Sequence, residues 1–96
     1  TKAALHQLVR VAATELSPRG IRVNSVSPGP IETPIFDKMS LPAEAQQEMA
    51  ANIQSQVALG RFGKADEVAN VALFLASDES SYVQGQEYAV DGGMTG

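Results

Sequence analysis

The sequence predicts an α/β fold whose strands run parallel, and two observations support that prediction. Two short strand-like runs, "IRVNSV" and "EYAV", lie far apart in the chain, and two helical patterns separate them. A further helical pattern precedes the first run. Parallel strands need a long crossover connection, usually a helix, so this order favours a parallel arrangement over a hairpin.

The first helix is indicated by apolar residues that recur every three or four positions, which is the spacing of one buried stripe. These residues are Leu5, Leu8, Val9, Ala12 and Leu16. The "SPRG" segment ends the helix, because Ser-Pro and Gly20 both break helices. Thr1 and Lys2 leave no room for a settled first turn with its cap, so we expect the chain to begin inside a helix.

The first strand is predicted at Ile21 to Val26, where a short β-branched run without clean alternation indicates a buried strand. The stretch "SVSPGPIETPIF" follows, and its prolines fix φ while Gly29 permits close backbone approach. Ligands of open parallel sheets bind beyond the carboxyl ends of the strands. This stretch is therefore a candidate binding segment, with an N–H at Ile31 and a hydroxyl at Thr33. A rigid turn without a ligand is the alternative.

The second half of the chain predicts two more helices. Behind Pro42, a good first-turn residue, an i, i+4 pattern predicts a helix that "GRFG" ends; its residues are Ala45, Met49, Ile53 and Val57. A third helix is predicted from Lys64 to Ala76, with carboxylates in its first turn where the helix dipole favours them. "DES", Asp78 to Ser80, is expected to be a solvated loop, and Glu87 to Val90 the second strand.

Composition limits the function classes. With 96 residues, 44% of them hydrophobic and 19% charged, the chain is a single soluble domain or part of one. No apolar run is long enough for a membrane span, and the acidic balance with 5% aromatic residues argues against nucleic-acid binding. The absence of cysteine and of a targeting signal favours the cytoplasm. His6 is predicted to be a surface or packing residue, and no metal site is expected.

Four segments together resemble the carboxyl-terminal part of a short-chain dehydrogenase/reductase. They are Lys2 near the start of a helix, "RGIRVNSVSPGPIETP", "GRFGKADEVANVALFLASDESSYVQGQ" and "VDGG", in that order. The resemblance covers essentially the whole chain. It implies that residues 1–96 are the carboxyl-terminal portion of one Rossmann-like domain with a doubly wound parallel sheet, in the order helix, strand, lid helix, helix, strand. It also implies a substrate lid at residues 35–57.

The resemblance implies specific site residues. Lys2 matches the lysine of the family's Tyr-x-x-x-Lys motif, which binds the nicotinamide ribose and lowers the pKa of the catalytic tyrosine. Pro28, Gly29 and Thr33 match the Pro-Gly-x-x-x-Thr motif, in which backbone near Ile31 binds the nicotinamide carboxamide and the Thr33 hydroxyl assists. The implied cofactor is NAD or NADP, and the residues that choose between them lie in the other half of the fold.

The same resemblance shows what these residues lack. The tyrosine is expected four positions before Lys2, and the glycine-rich turn that binds the pyrophosphate lies further upstream. We therefore expect an NAD(P)-dependent oxidoreductase of small alcohols or carbonyls as the parent protein, and no activity from this chain alone. A non-catalytic packing or assembly module is the alternative. The family commonly assembles through the region matching Asp66 to Val90, so a homo-oligomer is expected.

Overall fold

A computed structural model describes residues 1–32 and 40–94 of the protein. The elements are α1 (Lys2–Leu16), β1 (Ser25–Pro28), α2 (Ala43–Ser55), α3 (Ala65–Ala76) and β2 (Glu87–Val90), with 3₁₀ turns at Ser17–Arg19 and Asp78–Ser80. The predicted order of helix, strand, two helices and strand is therefore confirmed.

The two strands form a parallel sheet in which Ser25 pairs with Glu87 and Pro28 with Val90. The first residue of β1 bonds to the residue before β2, since Ser25 N donates to Gln86 O (2.9 Å), and the ladder continues past the end of β1, where Gly29 N donates to Val90 O (3.0 Å). The predicted α/β class with parallel strands is confirmed. Within the described ranges, β1 has one neighbouring strand, and its other edge is open.

The predicted bounds of the first strand, Ile21 to Val26, are wrong, because β1 begins at Ser25. Side-chain amides replace the regular ladder before that point. Val23 N donates to Gln84 Oε1 (2.7 Å), and Asn24 Nδ2 donates to Val83 O (3.2 Å). The strand is also only half-buried rather than buried. Hydrogen bonds between side-chain amides and distant backbone groups thus stand in place of strand pairing before Ser25.

Helix α1 has a cap that the sequence was not expected to provide. Thr1 Oγ1 accepts a hydrogen bond from Ala4 N (3.1 Å), which satisfies one of the free N–H groups of the first turn. The helix ends in the 3₁₀ turn, and Gly20 follows with φ 73°, a left-handed conformation that favours glycine.

The predicted buried stripe of α1 is only partly correct. Val9 and Ala13 are buried, but Leu5 and Leu8 are 57% and 63% exposed. Val11 is 53% exposed on the same helix. Among the described residues, nothing buries these three side chains. The apolar spacing identified the helix correctly and its buried face only in part, since Val9 is buried while Leu5 and Leu8 are exposed.

Helix α2 ends at Ser55, before the "GRFG" segment that was predicted to end it. Val57 leaves the helix and becomes one of the buried apolar residues. Leu59 N then donates to Gly92 O (3.0 Å), so this connection is fastened to the turn after β2. Of the predicted lid, residues 35–39 lie outside the described residues, and α2 forms most of the remainder.

The predicted solvated loop at Asp78 to Ser80 is instead a 3₁₀ turn with one buried member. Ser80 is 1% exposed, and its hydroxyl lies 3.0 Å from Leu75 O and 3.1 Å from Ser77 O. Asp78 and Glu79 are exposed, as the polar sequence predicted. No helix within residues 1–32 and 40–94 is long and apolar enough to cross a lipid bilayer.

Candidate functional site

The segment from Pro28 to Glu32 leaves the carboxyl end of β1 beside the Asp91 to Gly93 turn, which follows β2. Ser25 and Gly29 both donate to the β2 side of the ladder. Successive backbone N–H positions along a strand point to opposite edges, so the N position of Pro28 faces the edge of β1 away from β2. Its missing N–H therefore removes no hydrogen bond from the β1–β2 pair.

Gly29 lies very close to another segment of the protein, at Asp91. A Cβ on Gly29 would lie 2.6 Å from Asp91 Cβ and 2.7 Å from Asp91 Cα, closer than such atoms can come. Glycine at this position therefore lets the two strand ends converge. The expected close approach of Gly29 to a ligand remains a prediction.

Ile31 is held in a parallel bridge with Gly63. Gly63 N donates to Pro30 O (2.9 Å), and Glu32 N donates to Gly63 O (2.8 Å). In such a bridge the N–H and C=O of the central residue point away from the partner. Within the part of the chain that the structure describes, the Ile31 N–H has no hydrogen-bond acceptor. The site thus contains a backbone donor that is held in place and has no acceptor among residues 1–32 and 40–94.

An ion pair flanks this bridge. The Arg61 guanidinium binds Glu67 at two points, Nη1 to Oε1 (2.8 Å) and Nη2 to Oε2 (2.9 Å). Lys64 N also donates to Glu67 Oε1 (2.9 Å). The hydrogen bond from Arg61, and after it the bond from Lys64 N, lowers the pKa of Glu67 to about 2, and the same pairing raises the pKa of Arg61.

A cavity of about 450 Å³ lies between the two strand ends and the connection that follows α2. The residues that line it include Pro30, Ile31, Leu59, Arg61, Glu67 and Asp91. This volume falls within the range of small-molecule pockets, and the location beyond the carboxyl ends of parallel strands is where such sheets bind ligands.

Helix α1 runs antiparallel to β2, which locates Lys2 relative to this end of the sheet. Near the carboxyl end of α1, Ala13 Cβ lies 3.4 Å from where a Cβ of Gly85 would be. Closer to its start, His6 Nδ1 lies 3.5 Å from Glu87 Oε2. Lys2 lies one turn further on, about 6 Å along the helix axis, toward the carboxyl ends of the strands. Lys2 is exposed, and within the described ranges its side chain makes no hydrogen bond or ion pair.

His6 is half-buried on the side of α1 that faces Glu87 of β2, which is consistent with the predicted surface or packing role. Its Nδ1 is buried without a hydrogen-bond partner among the described residues, although Glu87 is near. Glu87 Oε1 accepts a hydrogen bond from Ser27 Oγ (2.9 Å). The three side chains connect the first turns of α1 to both strands.

The structure brings together some of the predicted site residues and adds others. Pro28, Gly29 and Ile31 lie on one short segment, and Thr33 lies outside the described residues. Sequence reasoning did not identify the bridge to Gly63 or the ion pair of Arg61 and Glu67. One signal for the pair was available, since a glutamate three residues after the start of a helix often bonds back to the first N–H.

The chain is similar to several known proteins along nearly its whole length. Residues 1–95 match the family model described as enoyl-(acyl carrier protein) reductase. The chain is 51% identical over 94 residues to the 3-oxoacyl-[acyl-carrier-protein] reductase FabG of Thermotoga maritima, a match that covers 98% of this chain and 36% of that protein. It is 44% identical over 97 residues to the uncharacterized oxidoreductase YxbG of Bacillus subtilis, covering 97% of this chain and 35% of YxbG.

A solved structure is also similar. YwfH, described as an NADPH-dependent reductase involved in bacilysin biosynthesis, superposes with a TM-score of 0.82 and 35% sequence identity. The match covers 96% of this chain and 37% of YwfH. The fold is therefore Rossmann-like, and the chain spans about a third of the length of the curated relatives it matches.

Proposed function

The chain belongs to the short-chain dehydrogenase/reductase family, and on that premise we propose that it forms the carboxyl-terminal portion of the single nucleotide-binding domain of an NAD(P)-dependent oxidoreductase. The reaction is hydride transfer between the cofactor and a small alcohol or carbonyl substrate. Support comes from two similar proteins, FabG and YwfH, both of which are described as reductases. The Ile31 N–H at the carboxyl end of the sheet, which has no acceptor among the described residues, is the observation that carries the proposal.

Ile31 would hold the nicotinamide end of NAD or NADP. Its N–H is a fixed donor suited to the carboxamide oxygen, and a fixed donor orients a planar group better than a mobile side chain does. Pro28 stiffens the approach to Ile31, and Gly29 keeps the segment against Asp91. Thr33 would add a hydroxyl hydrogen bond to the same carboxamide. The bound nicotinamide supplies or accepts the hydride.

Lys2 would assist the proton transfer that accompanies hydride transfer. Its ammonium is exposed and unpaired within the described part of the chain, and it lies toward the same end of the sheet as Ile31. A free ammonium of this kind can bind ribose hydroxyls and can stabilise a nearby phenolate, which lowers a tyrosine pKa. The tyrosine itself is expected ahead of Thr1, so we expect the 96-residue chain alone to be inactive.

Residues 35–57 would form part of the substrate lid. Helix α2 contains no fully buried residue, and Met49 is 38% exposed. Few buried contacts are expected in an element that moves to admit substrate. The alcohol or carbonyl compound would enter beneath this segment, beside the cavity that Ile31 lines.

The proposal is tested by cofactor titration of the intact protein. NADH and NADPH are added separately, and binding is followed by cofactor fluorescence and by the ¹H–¹⁵N signal of the Ile31 amide. We expect saturable binding of at least one cofactor and a downfield shift of the Ile31 proton as it gains an acceptor. Binding of neither cofactor would contradict the proposal. Cofactor binding without a shift of the Ile31 signal would support the oxidoreductase proposal but would show that the Ile31 N–H does not bind the cofactor.

An assembly role is the second candidate, and the exposed apolar residues of α1 favour it. Leu5, Leu8 and Val11 are each more than half exposed, and a contiguous apolar surface usually marks an interface. The two candidates are separated by the same titration, because a purely structural module would bind neither nucleotide. A homo-oligomer is compatible with both.

A further inference from the structure

The direction of the Ile31 N–H depends on Gly63. The β1–β2 ladder ends where Gly29 N donates to Val90 O, so it does not fix the next residues directly. The two hydrogen bonds of Gly63, to Pro30 O and from Glu32 N, flank Ile31 instead. The contact is close, since a Cβ on Gly63 would lie 2.9 Å from Ile31 Cδ1. A displacement of Gly63 would therefore redirect Ile31.

The position of Gly63 is set in turn by a ring of hydrogen bonds on both sides of it. On the preceding side, Arg61 Nη1 donates to Phe62 O (3.0 Å). On the following side, Lys64 N donates to Glu67 Oε1 (2.9 Å). The ring is closed by the two-point contact between Arg61 and Glu67. Both peptides that flank Gly63 are thus fastened to one ion pair.

We infer that the Arg61–Glu67 pair is a positioning device that fixes Gly63 and, through Gly63, the nicotinamide-binding N–H of Ile31. Neither side chain needs to touch the cofactor for this effect. The inference rests on the proposed function, in which Ile31 binds the carboxamide. A charge-assisted two-point contact holds geometry more tightly than a neutral hydrogen bond, so a neutral residue at position 67 loosens the ring.

The test compares Glu67→Gln with the wild type in the intact protein. The dissociation constant of the preferred nicotinamide cofactor should rise about three- to tenfold, the effect of losing one well-placed hydrogen bond. The turnover number at saturating cofactor should change less than about twofold, because the reacting groups are retained. Arg61→Lys keeps the cation without the planar two-point contact and should give an intermediate dissociation constant.

Arg22→Gln is the matched control. Arg22 donates to Ser80 Oγ and to Ser77 O, both 3.0 Å away, and has no bond to the ring around Gly63. The Arg22→Gln variant should lower the thermal midpoint of unfolding and leave the cofactor dissociation constant unchanged. An unchanged dissociation constant in Glu67→Gln would overturn the inference. Equal weakening by Arg22→Gln at equal loss of stability would also overturn it, because the effect would then be general destabilisation.

Amide hydrogen exchange tests the coupling without any cofactor. The amides of Gly63 and Glu32 form the bridge, so Glu67→Gln should speed their exchange about tenfold while Arg22→Gln leaves it unchanged. If the wild type binds neither NADH nor NADPH, the proposed function fails. The exchange rates alone then decide whether the ion pair positions Gly63, and unchanged rates reject the coupling.

Discussion

The guanidinium of Arg22 donates to the hydroxyl of Ser80 over 3.0 Å and joins the approach to β1 with the turn after α3. The same guanidinium donates to Ser77 O, near the carboxyl end of α3, where a positive charge also interacts favourably with the helix dipole. Ser80 is almost completely buried. This contact fastens two segments that lie far apart in the sequence.

Replacing Ser80 by alanine should destabilise the protein. The change leaves Arg22 Nη1 without its buried acceptor, and an unsatisfied partner costs about 1–3 kcal/mol. Urea unfolding of the intact protein measures the loss. Ser81→Ala is the control, because Ser81 is exposed and contributes a backbone hydrogen bond only. A Ser80→Ala variant as stable as Ser81→Ala would show that the hydroxyl is dispensable.

Gly29→Ala should separate the strand ends. The new Cβ would meet Asp91 at 2.6–2.7 Å, and the contacted atoms include backbone, so the sheet itself must shift. Overpacking of this kind costs about 1–3 kcal/mol. The expected result is a lower unfolding midpoint together with weaker cofactor binding. Ala89→Ser, at an exposed position of β2, is the control for the effect of a single added atom on the unfolding midpoint. Full stability of Gly29→Ala would contradict the close approach.

The stabilising effect of Glu67 should depend on pH in a defined window. Its pKa falls from 4.5 in the ordinary state to about 2 in the folded protein. The folded state therefore binds the proton less readily, so the contribution is complete above about pH 4.5 and disappears as the pH falls toward about 2. The measurement is the difference in unfolding midpoint between wild type and Glu67→Gln across this range.

Salt provides a second check on the same pair. Both side chains are substantially exposed, with 51% of Arg61 and 41% of Glu67 accessible. Screening at about 1 M salt should therefore shrink the difference at neutral pH. In the pH series, a difference in unfolding midpoint between wild type and Glu67→Gln that persists unchanged near pH 2 would contradict the assignment of the effect to this carboxylate.

Thr33→Ala should weaken cofactor binding in the intact protein. The prediction rests on the Pro-Gly-x-x-x-Thr motif, because Thr33 lies outside the described residues. Loss of one hydroxyl hydrogen bond is worth roughly 0.5–1.5 kcal/mol, or about two- to twelvefold in the dissociation constant. Thr33→Ser retains the hydroxyl and should stay close to wild type. Identical affinities for all three proteins would reduce this motif to a rigid turn.

The isolated 96-residue chain should self-associate. A two-stranded sheet is marginal alone, the free edge of β1 can pair with another chain, and Leu5 and Leu8 are exposed. Light scattering across a dilution series should give a mass that rises with concentration above the 10.1 kDa of one chain. A constant mass of one chain at high micromolar concentration would contradict this prediction.

The sequence predicted the order and type of the elements because helical spacing, β-branched runs and Pro/Gly breakers are local signals. It misplaced the start of β1, since the amides of Asn24 and Gln84 take up backbone groups from residues about sixty positions away. It assigned Leu5 to a buried face because apolar spacing does not reveal whether a partner element is present.

The candidate site was predicted in part for the same reason. The Pro28 to Ile31 segment is recognisable from its composition and from its place after a strand. The bridge between Ile31 and Gly63 joins two segments that carry no mutual signal in one sequence. The ion pair that supports the bridge was visible only as a carboxylate near the start of a helix.

The hydrogen bonds that join α1 and the approach to β1 with the segment after α3 connect residues 55 to 71 positions apart. Pairing of the two strands therefore requires closure of a long loop, and folds dominated by such distant contacts form slowly. The entropy of closure grows only with the logarithm of loop length, about 0.6 kcal/mol for each doubling. Once this closure is made, the stretch between Glu32 and Arg61 can be longer or shorter at little cost in chain entropy, which leaves it free to diversify.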